Sequence, residues 1–170
     1  MKRVPDLLTA SRGVIAAAIA SLGFVGPAAL EAVIALTMLG WTTDILDGRF
    51  ARRCGKQPTW IGEREFAFDM MLVFSGLCYL VMAGFVPITP AVAYIAVAAV
   101  CVAYFRSKSV TMSFATPLVA LPLVVAYLNA RGAAWGYLLW IAVALLLDWR
   151  RFKDVVLQFI ENTKALTRRM

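Results

Sequence analysis

The fold is decided by the stretch AALEAVIALTMLGWTTDILDGRFAR, residues 28–52. Its first part is an apolar run of nearly membrane length, and its second part places Asp44 and Asp47 at the edge of that run. Two further acids, Glu65 and Asp69, stand at the start of the next apolar run. Since burying an ionisable side chain in or beside a membrane span is costly, acids at this place predict a functional site.

The spacing of these four acids indicates a cation site. Asp44 and Asp47 are three residues apart, and on a helix this spacing puts both carboxylates on one face. Glu65 and Asp69 are four residues apart, with the same consequence. Four carboxylates facing each other across two helices would repel strongly unless cations lay between them. Because all the ligands are oxygens, the pattern favours a hard cation, Mg²⁺ or Mn²⁺.

Two other residues of the stretch suit a phosphate ligand. Gly48 lets a ligand or a second backbone come close, because it has no side chain. Arg52 lies one turn beyond Gly48 and can bind phosphate through two parallel N–H groups. These residues add a phosphate-binding element to the acids.

The stretch resembles the signature of the CDP-alcohol phosphotransferase family, the integral membrane enzymes of phospholipid headgroup synthesis. The family pattern reads Asp, two residues, Asp-Gly, two residues, Ala-Arg, eight residues, Gly, three residues, Asp, three residues, Asp. The positions that match this pattern are Asp44, Asp47, Gly48, Ala51, Arg52 and Asp69. Two positions depart, since Ile61 stands where the family has Gly and Glu65 stands where it has Asp. Glu65 keeps the charge but reaches one methylene further, which is large against the geometric tolerance of a metal site.

A second resemblance lies near the N-terminus, in PDLLTASR, residues 5–12. It is similar to a family feature that reads Pro, Asn or Asp, two apolar residues, Thr, and then Arg. The alternative is an ordinary helix start, in which Asp6 complements the helix dipole and Arg12 extends its charged end to the membrane surface. Residues alone do not decide between the two.

The composition excludes an ordinary soluble domain. The chain has 170 residues, of which 62% are hydrophobic and only 16% are charged. A soluble domain of this size would have no means of hiding so much apolar surface, and the apolar residues are spread over the whole chain. The chain has no histidine, which removes most zinc sites and histidine-based acid–base schemes. Its three cysteines are widely spaced and predict no disulfide framework.

The apolar runs predict an all-α integral membrane protein with six transmembrane helices and short interfacial segments at the termini. We expect a single domain over 1–170, with spans at about 7–25, 28–48, 65–85, 91–106, 112–128 and 133–149. Pro117 and Pro122 predict a bend in the fifth span. Residues 152–170 alternate apolar and charged side chains, which is typical of an amphipathic helix on the membrane surface, the alternative being a solvated tail.

The basic residues predict the orientation. Six spans place both termini on one side, and that side also receives Lys2, Arg3, the basic segment 49–64, Arg106 and the tail. The other side has only Arg131. The positive-inside rule therefore predicts that the termini and the signature are cytoplasmic, in what we expect to be a bacterial inner (plasma) membrane. Tryptophans near span ends indicate interfacial belts, at positions Trp41, Trp60, Trp135, Trp140 and Trp149.

The resemblance implies an enzyme that moves a phosphatidyl group from a CDP-linked lipid, such as CDP-diacylglycerol, to a polar alcohol and releases CMP. It implies two divalent cations, Mg²⁺ or Mn²⁺, held by Asp44, Asp47, Glu65 and Asp69, with Asp69 also acting as the general base. The acceptor alcohol is glycerol 3-phosphate-like or inositol-like. Substrate-binding positions implied by the resemblance and by the surrounding residues are Pro5, Asp6, Thr9, Gly48, Ala51, Arg52, Pro58 and Lys108. The family is usually dimeric, which implies a homodimer, and the predicted partners include no nucleic acid.

Two other classes of function stay open at this point. The departures at Ile61 and Glu65 permit a weak or inactive family member that serves as a binding or scaffold subunit. A small transporter with an acidic cation site also fits six short helices, although the acids cluster at one membrane edge rather than along a path. Metal-dependent release of CMP from a CDP-lipid would distinguish the enzyme from both.

Overall fold

The computed structural model describes residues 4–54 and 65–149, together with positions 153, 156, 157, 160 and 161. Six α-helices follow one another along the chain, and there is no strand in the described residues. Their bounds are α1 Val4–Ser21, α2 Leu30–Cys54, α3 Glu65–Met82, α4 Ile88–Phe105, α5 Lys108–Asn129 and α6 Arg131–Leu147. The prediction of an all-α membrane fold is confirmed.

Four helical segments of the described chain are long and apolar enough to cross a membrane. They are Asp6–Phe24, Gly26–Arg49, Ile88–Phe105 and Ser109–Asn129. Phe66–Met82 and Arg131–Leu147 are apolar as well but shorter. The number of six crossings therefore stays a prediction.

Local chemistry explains where the helices begin and end. Between α1 and α2 the chain makes two short 3₁₀ segments, Leu22–Phe24 and Gly26–Ala29, with Gly26 at a φ of 79° that an L side chain rarely adopts. Pro87 stands in an extended conformation just before α4, where its missing N–H costs nothing. α5 runs as one helix through Pro117 and Pro122, so the fifth span is not divided at its prolines.

The first three helices form the centre of the molecule. α1 packs along both α2 and α3, α5 packs on α3, and α6 packs on α5 and α2. α2 approaches α3 closely at Gly40, where an added Cβ atom would lie 2.7 Å from the Leu72 side chain. α4 lies at the edge, against α5 and α3, and most of its surface is exposed. This arrangement places the α1, α2 and α3 residues of the two sequence motifs next to each other.

Candidate active site

Arg12 of α1 is the centre of a buried polar cluster. Its side chain is fully buried, with 0% exposure. One terminal nitrogen, Nη1, donates to Asp44 Oδ1 at 2.7 Å and also to Asp69 Oδ1. The other, Nη2, donates to Asp47 Oδ2 at 2.8 Å. One guanidinium thus joins three acids of the predicted site, two from α2 and one from α3.

Thr9 completes this cluster from the same helix. It lies three residues before Arg12, so both side chains are on one face of α1. Its hydroxyl donates to Asp47 Oδ2 at 2.5 Å and accepts a bond from Arg12 Nη2 at 3.2 Å. Thr9 is only 2% exposed. Its hydroxyl therefore helps to position Asp47, and the expectation that Thr9 binds substrate stays a prediction.

α1 and α3 can approach each other here because a glycine lies at their contact. Gly13 follows Arg12, and an added Cβ atom there would lie 3.1 Å from the ring of Phe68. Phe68 directly precedes Asp69, so the contact brings α1 and α3 together at the level where Arg12 reaches Asp69. The i, i+3 spacing of Asp44 and Asp47 turns both acids of α2 toward the same guanidinium.

Arg12 by itself does not balance the charge of the three acids, and Asp44 and Asp69 also have interactions beyond Arg12. Three carboxylates against one guanidinium leave a formal charge of −2. Among the described residues, the buried Nε–H of Arg12 has no hydrogen-bond acceptor. A buried group of like charges is unfavourable unless a cation compensates it. The cluster is therefore built for a further positive charge.

The residues fit a divalent cation in chemistry and in charge. Carboxylate oxygens are the ligands that Mg²⁺ and Mn²⁺ prefer, and a formal charge of −2 is offset by one such ion. Among the side chains that the structure describes, no group of three acids is placed to hold a metal ion as it stands. The Arg12 guanidinium lies among the carboxylates of Asp44, Asp47 and Asp69, and the Glu65 side chain is not described. A cation would share their oxygens with Arg12.

The other predicted site residues are described to different extents. Asp6 lies on α1, half-buried, and Gly48 lies on α2, half-buried, one residue after Asp47. For a further group the helix position is described but the side chain is not: Pro5, Ala51, Arg52, Glu65 and Lys108. Glu65 opens α3 and Lys108 opens α5. Pro58 and Ile61 lie outside the described residues.

Arg12 is the functional residue that sequence reasoning left out of the site. The alternative of an arginine extending to the membrane surface is wrong, because the side chain is fully buried among acids. The signal was present, since an arginine inside an apolar run is costly and is expected to have a partner. What the sequence lacked was the identity of that partner, because Asp44 and Asp69 are 32 and 57 residues away along the chain.

An apolar cavity of about 460 Å³ adjoins the cluster between α2, α5 and α6. Asp44 is shared by the cavity and the cluster, and Asp148 lines the cavity as well. The remaining lining is aromatic and aliphatic, and it includes Trp41, Tyr137 and Trp140. Trp41 and Trp140 were expected in an interfacial belt. Both line this cavity, and the Trp140 indole N–H donates to Thr42 Oγ1 at 3.1 Å.

Arg49 joins α2 to the end of α6 beside this cavity. Its Nη2 atom donates to the backbone carbonyl of Leu147, the last residue of α6, at 2.8 Å. The same nitrogen lies 3.9 Å from Asp148 Oδ1. A cation at a helix C-terminus is favoured by the exposed carbonyls and the helix dipole. Arg49 thus holds α6 against α2, while Arg12 holds α1 against α2 and α3.

One of three comparisons with known proteins found a match. A family model described as CDP-alcohol phosphatidyltransferase matches residues 2–149. This range includes both sequence motifs and every residue of the cluster around Arg12. Searches of curated proteins and of solved structures found no match.

Proposed function

The chain belongs to the CDP-alcohol phosphatidyltransferase family, and from this premise we propose that it is a membrane enzyme that moves a phosphatidyl group from a CDP-lipid such as CDP-diacylglycerol to a polar alcohol. The acceptor is glycerol 3-phosphate-like or inositol-like, and the second product is CMP. The observation that carries the proposal is the convergence of Asp44, Asp47 and Asp69 on one buried guanidinium. Acids from two helices at one point are what a cation-assisted phosphate transfer needs.

The family generally uses divalent cations, and we propose that Asp44, Asp47, Glu65 and Asp69 hold two Mg²⁺ or Mn²⁺ ions here. When bound, the ions neutralise the negative charge of the pyrophosphate and of the leaving phosphate. The formal charge of −2 around Arg12 offsets one divalent ion. The charge of a second ion is then offset by Glu65 and by the pyrophosphate itself.

In the proposed reaction, Asp69 takes the proton of the acceptor hydroxyl. The hydroxyl oxygen forms a bond to the phosphorus that carries the lipid, and the bond from that phosphorus to the oxygen shared with the CMP phosphate breaks. CMP leaves with the electron pair of that bond. Asp69 suits this role because its side chain is 23% exposed, whereas that of Asp47 is 7% exposed. Reaction partners therefore have better access to Asp69.

Other residues of the motifs are proposed to bind substrate. Arg52 binds the phosphates, and Gly48 lets the nucleotide approach the backbone of α2. The remaining proposed substrate-binding positions are Pro5, Asp6, Thr9, Ala51, Pro58 and Lys108. The apolar cavity supports a lipid donor in particular, because it begins at Asp44 and is otherwise lined almost entirely by apolar side chains. The lipid part of the donor is then next to the acids that hold its pyrophosphate.

We further propose one domain over 1–170 with six membrane crossings, and a homodimer. The signature and both termini face the cytoplasm of a bacterial cell. These proposals rest on the asymmetry of the basic residues and on the properties of the family.

The test is an assay of the purified protein in lipid nanodiscs with CDP-diacylglycerol and one acceptor at a time. We expect CMP release with an alcohol of the glycerol 3-phosphate or inositol class, and loss of that release when EDTA removes divalent ions. A protein that binds CDP-diacylglycerol but releases no CMP with any acceptor would be the scaffold subunit instead. A cation transporter would release no CMP and would move Mn²⁺ across a vesicle membrane.

A further inference from the structure

We propose that Arg12 is the resident counter-cation of the acid cluster. In the absence of a divalent ion its guanidinium holds the three acids together, and its charge sets how tightly the divalent ion binds. Arg12 is thus a positioning residue rather than one that touches the reacting atoms. The identity of the ion rests on the proposed function, but the role of Arg12 in stability does not.

The positive charge of Arg12 offsets the repulsion among the three acids. Asp44, Asp47 and Asp69 come from two helices and would drive those helices apart if nothing positive lay between them. Arg12 is the residue that lies between them, and it is fully buried. A guanidinium stays protonated in proteins, so this positive charge is permanent. Each of the three acids forms an ion pair with Arg12, and Asp44 and Asp69 have further interactions as well.

The shape of the Arg12 guanidinium suits acids that come from different helices. A guanidinium is a flat group with several donors in fixed directions, so it can join acceptors that approach from different helices. Nη1 is used by Asp44 of α2 and Asp69 of α3, while Nη2 is used by Asp47 of α2. A lysine ammonium is a single point on a flexible stem and would not join all three. Both the charge and the shape of Arg12 are therefore used.

The charge of Arg12 also acts on a divalent ion bound by the acids. The ion would bind the same carboxylates that Arg12 already contacts, so the two positive charges would be close neighbours. Their repulsion weakens the binding of the ion. Removing the charge of Arg12 should therefore make the ion bind more tightly and, at the same time, make the ion-free protein less stable. A purely structural role would lower the stability without raising the affinity.

The experiment compares wild type with Arg12→Gln and Arg12→Lys, each purified in detergent and stripped of metal. Thermal unfolding is followed in EDTA and in rising concentrations of Mn²⁺, and Mn²⁺ binding is measured directly by electron paramagnetic resonance. Arg49→Gln is the matched control, because Arg49 is also a basic residue of the first two helices but its nitrogen reaches Leu147 and not the cluster.

Three results are expected. Arg12→Gln unfolds at a lower temperature than wild type in EDTA and gains more than wild type from Mn²⁺, with a dissociation constant for Mn²⁺ lower by about tenfold or more. Arg12→Lys is also less stable in EDTA, but it keeps the charge, so its affinity for Mn²⁺ stays close to that of wild type. Arg49→Gln keeps the wild-type affinity. The proposal is overturned if Arg12→Gln binds Mn²⁺ no more tightly than Arg49→Gln.

A double variant covers the case in which Arg12→Gln does not fold in EDTA. Arg12→Gln with Asp44→Asn removes one positive and one negative charge, so we expect it to be more stable in EDTA than Arg12→Gln alone. If the double variant is no better, the counter-cation role is wrong. These readouts are separate from catalysis, since absence of CMP release would reject the proposed reaction while the stability and Mn²⁺ measurements still decide the role of Arg12.

Discussion

The Thr9 hydroxyl, the smallest group of the cluster, forms hydrogen bonds with both Asp47 and Arg12. It donates to Asp47 and accepts from Arg12, so it fixes the position of one carboxylate oxygen. Thr9→Val keeps the shape of the side chain and removes both bonds. We expect the free energy of unfolding to fall by about 1–3 kcal/mol, because Asp47 is then buried with a lost donor. Chemical denaturation in detergent measures this change.

Thr116→Val is the matched control for Thr9→Val. Thr116 is exposed and its hydroxyl donates only to Met112 O within its own helix. We expect a change within about 0.5 kcal/mol for this variant. Equal effects of the two substitutions would mean that the Thr9 bonds add nothing to the stability of the cluster.

Asp69 contacts Arg12 and is also the proposed general base. Asp69→Asn keeps the shape of the side chain and removes its ability to take a proton. If Asp69 is the general base, CMP release falls by about 10²–10⁴-fold. Binding of CDP-diacylglycerol, measured by calorimetry, should change little. Full CMP release by Asp69→Asn would exclude this residue as the base.

At the scale of single residues, the sequence predicts which acids share a helix face, but it does not predict the partners of Arg12. The acids could be predicted because their spacing of three and four residues is a local property of single helices. The role of Arg12 depends on contacts between α1 and two later helices, and a buried and a surface-reaching arginine have the same sequence surroundings. Thr9 illustrates the same limit, since its partner Asp47 is 38 residues away.

At the scale of the helices, Gly40 of α2 leaves space for the Leu72 side chain of α3. In Gly40→Ala the new Cβ atom would lie 2.7 Å from a methyl group of the buried Leu72. The Leu72 side chain or the helices must then move, and such overpacking costs about 1–3 kcal/mol. Because α2 and α3 both supply acids to Arg12, we also expect CMP release to fall. Thermal unfolding in detergent and the CMP assay measure the two effects.

Gly136→Ala is the control for this helix contact. Gly136 lies on α6 and is exposed, and nothing lies within 4 Å of an added Cβ atom. Alanine favours a helix over glycine by up to about 1 kcal/mol, so this variant should be as stable as wild type or more stable. If Gly40→Ala behaves in the same way, the close approach of α2 and α3 does not limit stability.

The elements themselves follow the apolar runs, but their ends do not. α5 begins at Lys108, whereas the apolar run suggested a span from residue 112, because the helix continues through polar residues that follow the extended Ser107. α4 begins at Ile88 directly after Pro87 and ends at Phe105, because the following residue, Arg106, has a φ of 44° that breaks the helix. Apolar runs indicate which segments can lie in lipid. Helix ends depend on backbone hydrogen bonds, which composition does not describe.

For the molecule as a whole, the distribution of basic residues leads to a topology prediction. A reporter fused after Met170, or inserted between residues 55 and 64, should be cytoplasmic. A reporter inserted between α5 and α6, next to Arg131, should be on the opposite side. Alkaline phosphatase and green fluorescent protein fusions measure the two locations. A periplasmic signal after Met170 would contradict six crossings with cytoplasmic termini.

The overall class of the molecule could be predicted because it depends on sums over the chain. A hydrophobic content of 62% and six apolar runs are sufficient to predict an all-α membrane protein. The position of α4 could not be predicted in this way. It packs on α3 and α5 and leaves most of its surface exposed, whereas α3, which is also apolar, packs on α1 and α5. In a membrane, apolar residues face both lipid and protein, so composition does not distinguish an inner helix from an outer one.

The burial of Arg12 also has a consequence for biosynthesis. α1 leaves the ribosome before α2 and α3, so for a time its arginine has none of the three acids to pair with. An arginine near the middle of an inserted helix costs about 2.5–3.5 kcal/mol on insertion scales. α1 is therefore a weak membrane anchor while it is alone, and it becomes a stable one once Asp44, Asp47 and Asp69 have been synthesised. We therefore expect stable insertion of α1 to wait for α2 and α3, so that the residues of the cluster also influence the order of membrane assembly.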